Sequence, residues 1–151
     1  MKKIYLLLIP LFAFLLTGCG SSNTEKLVCT MERTTQGVTI KMNYTLEHDG
    51  TYVSGVRFYE EYSSDDSAIL KTVKEQVEQT YTSLDQQYGG YTIDIKTTDN
   101  TIVADVKIDY TKMNLDQLIK DNPTLSSYVE NGKMLLSKMK SQYDATGLEC
   151  K

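Results

Sequence analysis

The feature that most constrains the fold is a run of alternating apolar and polar residues from Val38 to His48. Its even positions down to Leu46 carry apolar side chains, and the odd positions between them carry Thr, Lys, Asn and Glu. Successive side chains of a strand point to opposite faces, so this run predicts a strand that is buried on one face and open to water on the other. Shorter alternations predict neighbouring strands over residues 27–31 and 52–59.

The segment His48-Asp49-Gly50 links the second and third predicted strands. The inward residues of both strands must share one face, and a three-residue loop satisfies this by placing Met42 opposite Val56 and Ile40 opposite Phe58. Such loops need a left-handed residue in the last position, which Gly50 provides. We therefore expect a type I turn with a bulge, and the only histidine of the chain in that turn.

A long amphipathic helix is predicted after the third strand. Asp66 and its two predecessors offer N-cap oxygens, apolar residues then recur every three or four positions, and Gly89-Gly90 ends the pattern. Two more alternating strands follow. A turn of two or four residues between them places Ile93 opposite Val106, both on the inner face.

The last third of the chain is predicted to be helical. A short helix ends near Asn122-Pro123, and a longer one, interrupted at Asn131-Gly132, stops at Gly147. Three strands, a helix, two strands and terminal helices predict an α+β protein, with a single five-stranded antiparallel sheet and helices packed on one face. The opposite face is open to water and is a candidate binding face, carrying Lys41, Asn43, Arg57, Tyr59, Asp105 and Lys107.

The first 19 residues bear on where the protein works. Lys2 and Lys3 precede an apolar run over residues 4–16, which Thr17-Gly18-Cys19 closes. This is the layout of a secretory signal peptide, and the run is shorter than the roughly 20 apolar residues that a spanning helix needs. The alternatives are a retained signal-anchor helix and a signal that is cleaved without lipidation. A cysteine directly after a small residue argues against both.

The end of this segment resembles the lipobox of bacterial lipoproteins, in which Cys19 is lipidated and becomes the new N-terminus. The resemblance implies a cleaved signal peptide over residues 1–18, a lipidated N-terminus and flexible tether over 19–25, and a single α+β domain over 26–151. At least two acyl chains hold such a protein firmly at the membrane. We expect the domain to face outside the cytoplasm. Fourteen lysines against two arginines favour a Gram-positive cell surface.

The charge of the chain bears on its partners. Removing residues 1–18 takes away two lysines and no acidic residue, so the formal net charge changes from −4 to −6. The sequence has no basic patch, which argues against nucleic acid as a partner. An acidic domain is also repelled by an anionic bilayer, so we expect membrane contact only through the lipid.

The two remaining cysteines, Cys29 and Cys150, form an even pair in an exported chain, which favours a disulfide. The bond would close a loop of about 120 residues and stabilise the domain by roughly 4–5 kcal/mol in the chain-entropy model. The alternative is two free or metal-binding thiols. Without a nearby histidine or further cysteine they make a poor zinc site.

Four features together resemble the YehR-like lipoprotein family: the lipobox at Cys19, the early strand cysteine in "LVCT", the segment "IDYTKMNLDQL" and the closing "GLEC". The resemblance spans residues 26–150. It implies a small exported α+β domain, with Cys19 as the lipid site and Cys29 and Cys150 as a pair. The family supplies no catalytic residues.

Catalytic chemistry has little support in the sequence. A hydrolase triad needs a histidine, and His48 is predicted in a surface turn, where no second ligand lies at metal-binding spacing. The acidic residues Glu60-Glu61 and Asp65-Asp66 could act as acid and base or bind calcium, but a solvated strand end and a helix cap explain them more simply. We therefore predict no enzyme activity, no cofactor and no metal site.

Eleven tyrosines and no tryptophan are the other unusual feature. Tyr59 and Tyr62 fall on or near the open face, where tyrosines often anchor binding surfaces. Our first hypothesis is a lipid-anchored, non-catalytic binding module of the cell envelope, acting on an envelope protein or a small ligand. The alternatives are a purely structural or accessory lipoprotein and, third, an enzyme. A small ligand predicts an apolar pocket between sheet and helices, whereas an assembly partner predicts an exposed apolar patch.

Overall fold

Five long antiparallel strands form the centre of the sheet in the computed structural model, which describes residues 24–151. Each of them pairs along most of its length, and their spatial order is β4-β5-β3-β2-β1. Their bounds are β1 Glu25–Thr35, β2 Val38–His48, β3 Tyr52–Ser63, β4 Tyr91–Thr98 and β5 Thr101–Asp109.

Three short strands extend this sheet: β6 (Val129–Glu130), β7 (Lys133–Leu135) and β8 (Glu149–Cys150). β8 pairs with β1, β7 pairs with the start of β3, and β6 pairs with β7. The predicted α+β class and antiparallel sheet are confirmed. The predicted count of five strands is wrong, since β8 extends the row of neighbouring strands to six, in the order β4-β5-β3-β2-β1-β8, and β6 and β7 pair beside it. Strands of two or three residues are too short to produce a readable alternation.

The helices are α1 (Ser67–Tyr88), α2 (Leu115–Asp121) and α3 (Leu136–Ala145). α1 begins as predicted, because the Asp66 carboxylate accepts hydrogen bonds from the backbone N–H groups of Ala68 and Ile69. The predicted pairing of Ile93 with Val106 is also confirmed, and the turn between β4 and β5 has two residues, one of the two lengths expected.

The segment after α2 differs from the prediction. A 3₁₀ helix (Pro123–Tyr128) and the β6–β7 hairpin replace the expected start of a long helix. Asn131 and Gly132 have φ of +53° and +71°, the left-handed pair that a two-residue hairpin turn requires. Asn-Gly is the strongest short hairpin signal, and the expectation of an interrupted helix overlooked it.

The register between β2 and β3 also corrects a prediction. Leu46 lies opposite Val56 and Met42 opposite Glu60, which is four residues away from the predicted pairing. The difference arises because His48 pairs with Val53, which leaves four residues between the last paired positions, and because a bulge at Glu47/His48 leaves Ser54 without a partner on β2. Four is an even number, so the predicted inner face is unchanged although its partners differ.

The core lies on this inner face, where Leu46, Ile102 and Val106 are fully buried. α1 packs across β3, β4 and β5, and α3 packs beside β7 and β8. The predicted disulfide is confirmed: Cys29 and Cys150 are directly opposite each other in the β1–β8 pair, with their Cα atoms 4.0 Å apart. The bond therefore joins the last strand of the chain to the first.

Candidate functional site

A cleft of about 650 Å³ opens at the end of the sheet where β2 turns into β3. The β2–β3 turn, the β5–α2 connection and the β6–β7 hairpin form its walls, and Thr24 lies at its edge. The side chains that determine its chemistry are His48, Asp49, Val53, Tyr110, Met113, Leu115, Asp116 and Lys133.

His48 is the most unusual residue of the cleft, because only 8% of its surface is exposed. Its Nδ1 accepts a hydrogen bond of 3.1 Å from the backbone N–H of Gly50. An imidazole that accepts at Nδ1 in its neutral form carries its proton on Nε2. Nε2 has no hydrogen-bond partner in residues 24–151. Every side-chain nitrogen or oxygen that is sealed from solvent in this range does have a partner, so Nε2 is not sealed. Because His48 lines the cleft, we infer that Nε2 opens into it.

The prediction that His48 lies in a surface turn is therefore wrong. It is the last residue of β2, two positions after the fully buried Leu46 and on the same inner face. The signal was present in the sequence, since the alternation of β2 continues to position 48. The predicted three-residue loop removed that residue from the strand and so hid the site.

The rim of the cleft carries charge of both signs. Asp49 accepts hydrogen bonds from the backbone N–H groups of Tyr52 (2.7 Å) and Thr51 (2.9 Å). These two bonds, helped by the charge of Lys133, hold the pKa of Asp49 below its usual value. Lys133 itself lies over the Tyr52 ring, 5.2 Å from its centroid. Asp116, on the first turn of α2, forms no ion pair within the described residues.

The floor of the cleft is apolar. Val53, Met113 and Leu115 are each more than nine-tenths buried, and Tyr110 packs against the same core. Burial raises the pKa of the Tyr110 hydroxyl well above 10, so the hydroxyl stays protonated at physiological pH. The Tyr110 backbone N–H donates to the Ser54 carbonyl oxygen at 2.9 Å, which fixes the β5–α2 connection against β3. The cleft thus combines an apolar floor with one buried donor and a charged rim.

A second groove of the same volume lies between α1 and the β1–β2 turn. It is lined by aliphatic side chains, threonines, glutamines and Tyr62, and none of its lining side chains is charged. It can bury apolar surface, but it offers few groups that could orient a ligand. We therefore take the cleft at His48 (the His48 cleft) as the candidate site.

The six residues of the predicted open face do lie on one side of the sheet. Asn43, Tyr59 and Asp105 form a row across β2, β3 and β5, with Arg57 and Lys107 in the next row. Lys41 lies opposite Glu61, on the other side of that row.

Arg57 and Asp105 form the strongest contact on this face. Nε and Nη2 of Arg57 donate to the two carboxylate oxygens at 2.7 and 2.6 Å. This hydrogen-bonded pairing lowers the pKa of Asp105 and raises that of Arg57. The Arg57 guanidinium also lies 5.7 Å from the Tyr59 ring centroid. The guanidinium of Arg57 and the carboxylate of Asp105 are therefore already hydrogen-bonded to each other.

Two expectations about residues near this face are wrong. Glu60 is not at a solvated strand end, since it is 5% exposed and points into the core. Tyr62 is on the inner face as well, and its hydroxyl donates to Glu60 Oε2 at 2.6 Å. Both residues occupy even positions of β3, so the alternation places them inward.

Within residues 24–151, no group of three or more His, Cys, Asp or Glu side chains is arranged to hold a metal ion. None of the helices in that range combines the length and the apolar character needed to cross a bilayer. The predicted lipid site, Cys19, lies outside the described residues.

Comparison with known proteins gives structural relatives. An NMR structure of a protein from Streptococcus pneumoniae TIGR4 has a TM-score of 0.55 and 11% sequence identity, and the match covers 100% of this chain and 96% of the other. The NMR structure of E. coli YehR has a TM-score of 0.52 and 17% identity, over 85% of this chain and 92% of the other. Both likenesses concern the fold, and they confirm the resemblance to YehR-like proteins at that level.

No curated protein matches the sequence significantly. A family description does match, and it covers most of the chain, from residue 20 to residue 151. The chain therefore belongs to the family described as a domain of unknown function, DUF8824.

Proposed function

We propose that this protein is a lipid-anchored binding module outside the cytoplasm, and that it binds its ligand in the His48 cleft. The observation that carries the proposal is the Nε2 of His48, which has no hydrogen-bond partner within residues 24–151, on a side chain that is 8% exposed in a cleft with an apolar floor. A donor that opens into a cleft without a protein partner is hydrated when the cleft is empty, and an acceptor atom of a ligand can replace that water. A volume of about 650 Å³ is also within the usual range of small-molecule sites.

The surface of the described residues favours a cleft over an apolar assembly patch. Tyr59, at 37%, is the single exposed large hydrophobic side chain in residues 24–151. Assembly through a hydrophobic patch usually needs several hundred Å² of contiguous apolar surface. A purely structural envelope role is therefore the weaker hypothesis.

The open face is a second candidate, because it presents Tyr59 beside a guanidinium. Tyrosine and arginine are common anchors of protein interfaces. The hydrogen bonds between Arg57 and Asp105 make this face a weaker candidate, since a partner would have to break them or bind beside them. It is the second candidate site, for an envelope-protein partner.

We propose a binding role and not a catalytic one. A histidine that acts as a general base in a hydrolase is oriented by a carboxylate on its other nitrogen. Here the Gly50 backbone N–H occupies that position on His48. The cleft therefore lacks the acid–base pairing that would activate a nucleophile.

The proposed anchor would keep the cleft close to the membrane. Thr24 lies at the edge of the cleft and five residues after Cys19. Five residues span at most about 18 Å when fully extended. A lipidated Cys19 would then hold the cleft near the bilayer surface.

Methyl NMR of the mature chain tests the cleft directly. The methionine methyl groups are labelled, and neutral apolar fragments are added. We expect the Met113 signal, from the cleft, to shift, while that of Met139, which is buried outside the cleft, stays in place. A Met113 signal that stays in place with every fragment would contradict binding in the His48 cleft.

A further inference from the structure

We infer that the His48 cleft selects an uncharged or cationic amphipathic ligand that presents a carbonyl oxygen, the chemistry of a short apolar peptide with a neutral end. The inference rests on the proposed function, because it names the ligand class of the same cleft. Three features of the cleft carry it: the donor at its wall, the charge of its lining and the shape of its floor.

The donor is the Nε2–H of His48. Since Nδ1 accepts the Gly50 N–H, the neutral ring offers a donor to the cleft and no acceptor. His48 is more than nine-tenths buried, and its ring cannot turn outward without losing its bond to Gly50. The ligand atom at this position must therefore be an acceptor, and a carbonyl oxygen provides one without charge.

The charge of the lining decides against an anionic acceptor. Two carboxylates, Asp49 and Asp116, line the cleft together with one ammonium group, Lys133. The charge of Lys133 already acts on Asp49. Asp116 has no ion pair in the described part of the chain, so its charge remains to repel an anion and attract a cation.

The floor decides against a purely polar ligand. Val53, Met113 and Leu115 line the same cleft as the donor and are buried. A ligand that fills the cleft must place an apolar body on this floor. A carbonyl between apolar groups is the repeating pattern of a peptide made of hydrophobic residues.

The experiment uses the mature lipidated chain in lipid nanodiscs, labelled with ¹⁵N-histidine and with methionine methyls. The chain has a single histidine, so the imidazole gives one pair of nitrogen signals. Three probes are compared: the neutral acetyl-leucyl-leucinamide, acetyl-leucyl-leucine with a free carboxylate, and leucyl-leucinamide with a free amine.

We expect the neutral and cationic probes to shift both His48 Nε2 and the Met113 methyl. The carboxylate probe should bind about fivefold more weakly, which corresponds to one charge interaction at about 4 Å in water. In Asp116→Asn this difference should disappear, because the uncompensated charge is gone. Asp99→Asn, in the β4–β5 turn, is the matched control and should keep it.

The contrary outcomes separate the two claims. Carboxylate binding as tight as that of the amide, or a Met113 shift without a His48 Nε2 shift, overturns the ligand class and leaves the cleft as a binding site. If none of the probes shifts either signal, the inference fails together with the proposed use of the cleft. A difference between probes that Asp99→Asn removes as readily as Asp116→Asn also contradicts the inference.

Discussion

The hydroxyl of Tyr44 donates a hydrogen bond of 2.6 Å to Oε1 of Glu60, inside the layer between the sheet and the helices. Tyr62 donates to the other carboxylate oxygen at the same distance. Burial, followed by the charge of Glu60 and hydrogen bonding to it, raises the pKa of Tyr44, Tyr62 and Tyr81. A buried carboxylate thus holds tyrosines of β2, β3 and α1 in one polar cluster.

Tyr44→Phe should destabilise the domain. The substitution keeps the ring contacts with Phe58 and Tyr143 and removes the donor to Glu60. Loss of a hydrogen bond to a charged group costs about 1.5–3 kcal/mol of the free energy of unfolding. Urea denaturation measures it. Tyr59→Phe, on the open face, is the matched control and should change that energy by less than about 0.5 kcal/mol. Equal effects of the two substitutions would contradict the cluster.

The domain should lose stability at alkaline pH. In the unfolded chain tyrosines ionise near pH 10, whereas burial raises the pKa of Tyr91 to about 12 and raises that of Tyr143 as well. A raised pKa in the folded state gives stability that is complete below pH 10 and is lost as the pH rises through the folded value. When both signals are followed from pH 9 to pH 13, the tyrosinate absorbance of the buried tyrosines should therefore appear only together with the loss of the native circular-dichroism spectrum. Ionisation of all the tyrosines near pH 10 with the native spectrum intact would contradict this.

The alternation of side chains was a reliable guide to the long strands and to which face they bury. It placed Ile93 opposite Val106 correctly, because a short turn leaves few registers. It did not fix the β2–β3 register, since loops that differ by an even number of residues bury the same face. The two-residue strand at Cys150 could not be read from any pattern, although the cysteine pair indicated the neighbourhood of β1.

Replacing both Cys29 and Cys150 with serine should reduce the free energy of unfolding by about 2–5 kcal/mol, because the crosslink closes most of the chain. Urea denaturation of the variant and of the unreduced parent compares the two. A thiol count on the unfolded, unreduced mature chain is the companion measurement, with no free thiol expected. Two titratable thiols would remove the basis of this prediction.

Cys19→Ala should leave the protein as an unlipidated precursor. A thioether to a lipid needs the thiol, and the following cleavage depends on that lipid. Metabolic labelling with palmitate and the mass of the intact product report both steps. Cys29→Ala, which keeps the lipobox cysteine, is the control and should still be labelled. Normal labelling of Cys19→Ala would refute the lipobox interpretation.

The candidate site was only partly predictable. The open face followed from the odd positions of β2 and β3, and its six residues do share one side of the sheet. The His48 cleft could not be predicted in this way, because its walls come from three connections between strands and helices. One of these, the β6–β7 hairpin, was expected to be helical. The one indication of the cleft in the sequence was the even position of His48, which places its side chain on the inner face of β2. The predicted loop excluded His48 from the strand, so this indication was missed.

Binding through the cleft is tested by placing a photo-crosslinking residue at Ser54, on the exposed rim of the cleft, and in a matched variant at Lys41, on the open face. Both variants are irradiated in intact cells, and adducts are identified by mass. We expect a defined adduct from Ser54, reduced by added acetyl-leucyl-leucinamide, and none from Lys41. Adducts from Lys41 alone, or Ser54 adducts that the peptide amide leaves unchanged, would contradict the central claim that this protein binds through its His48 cleft.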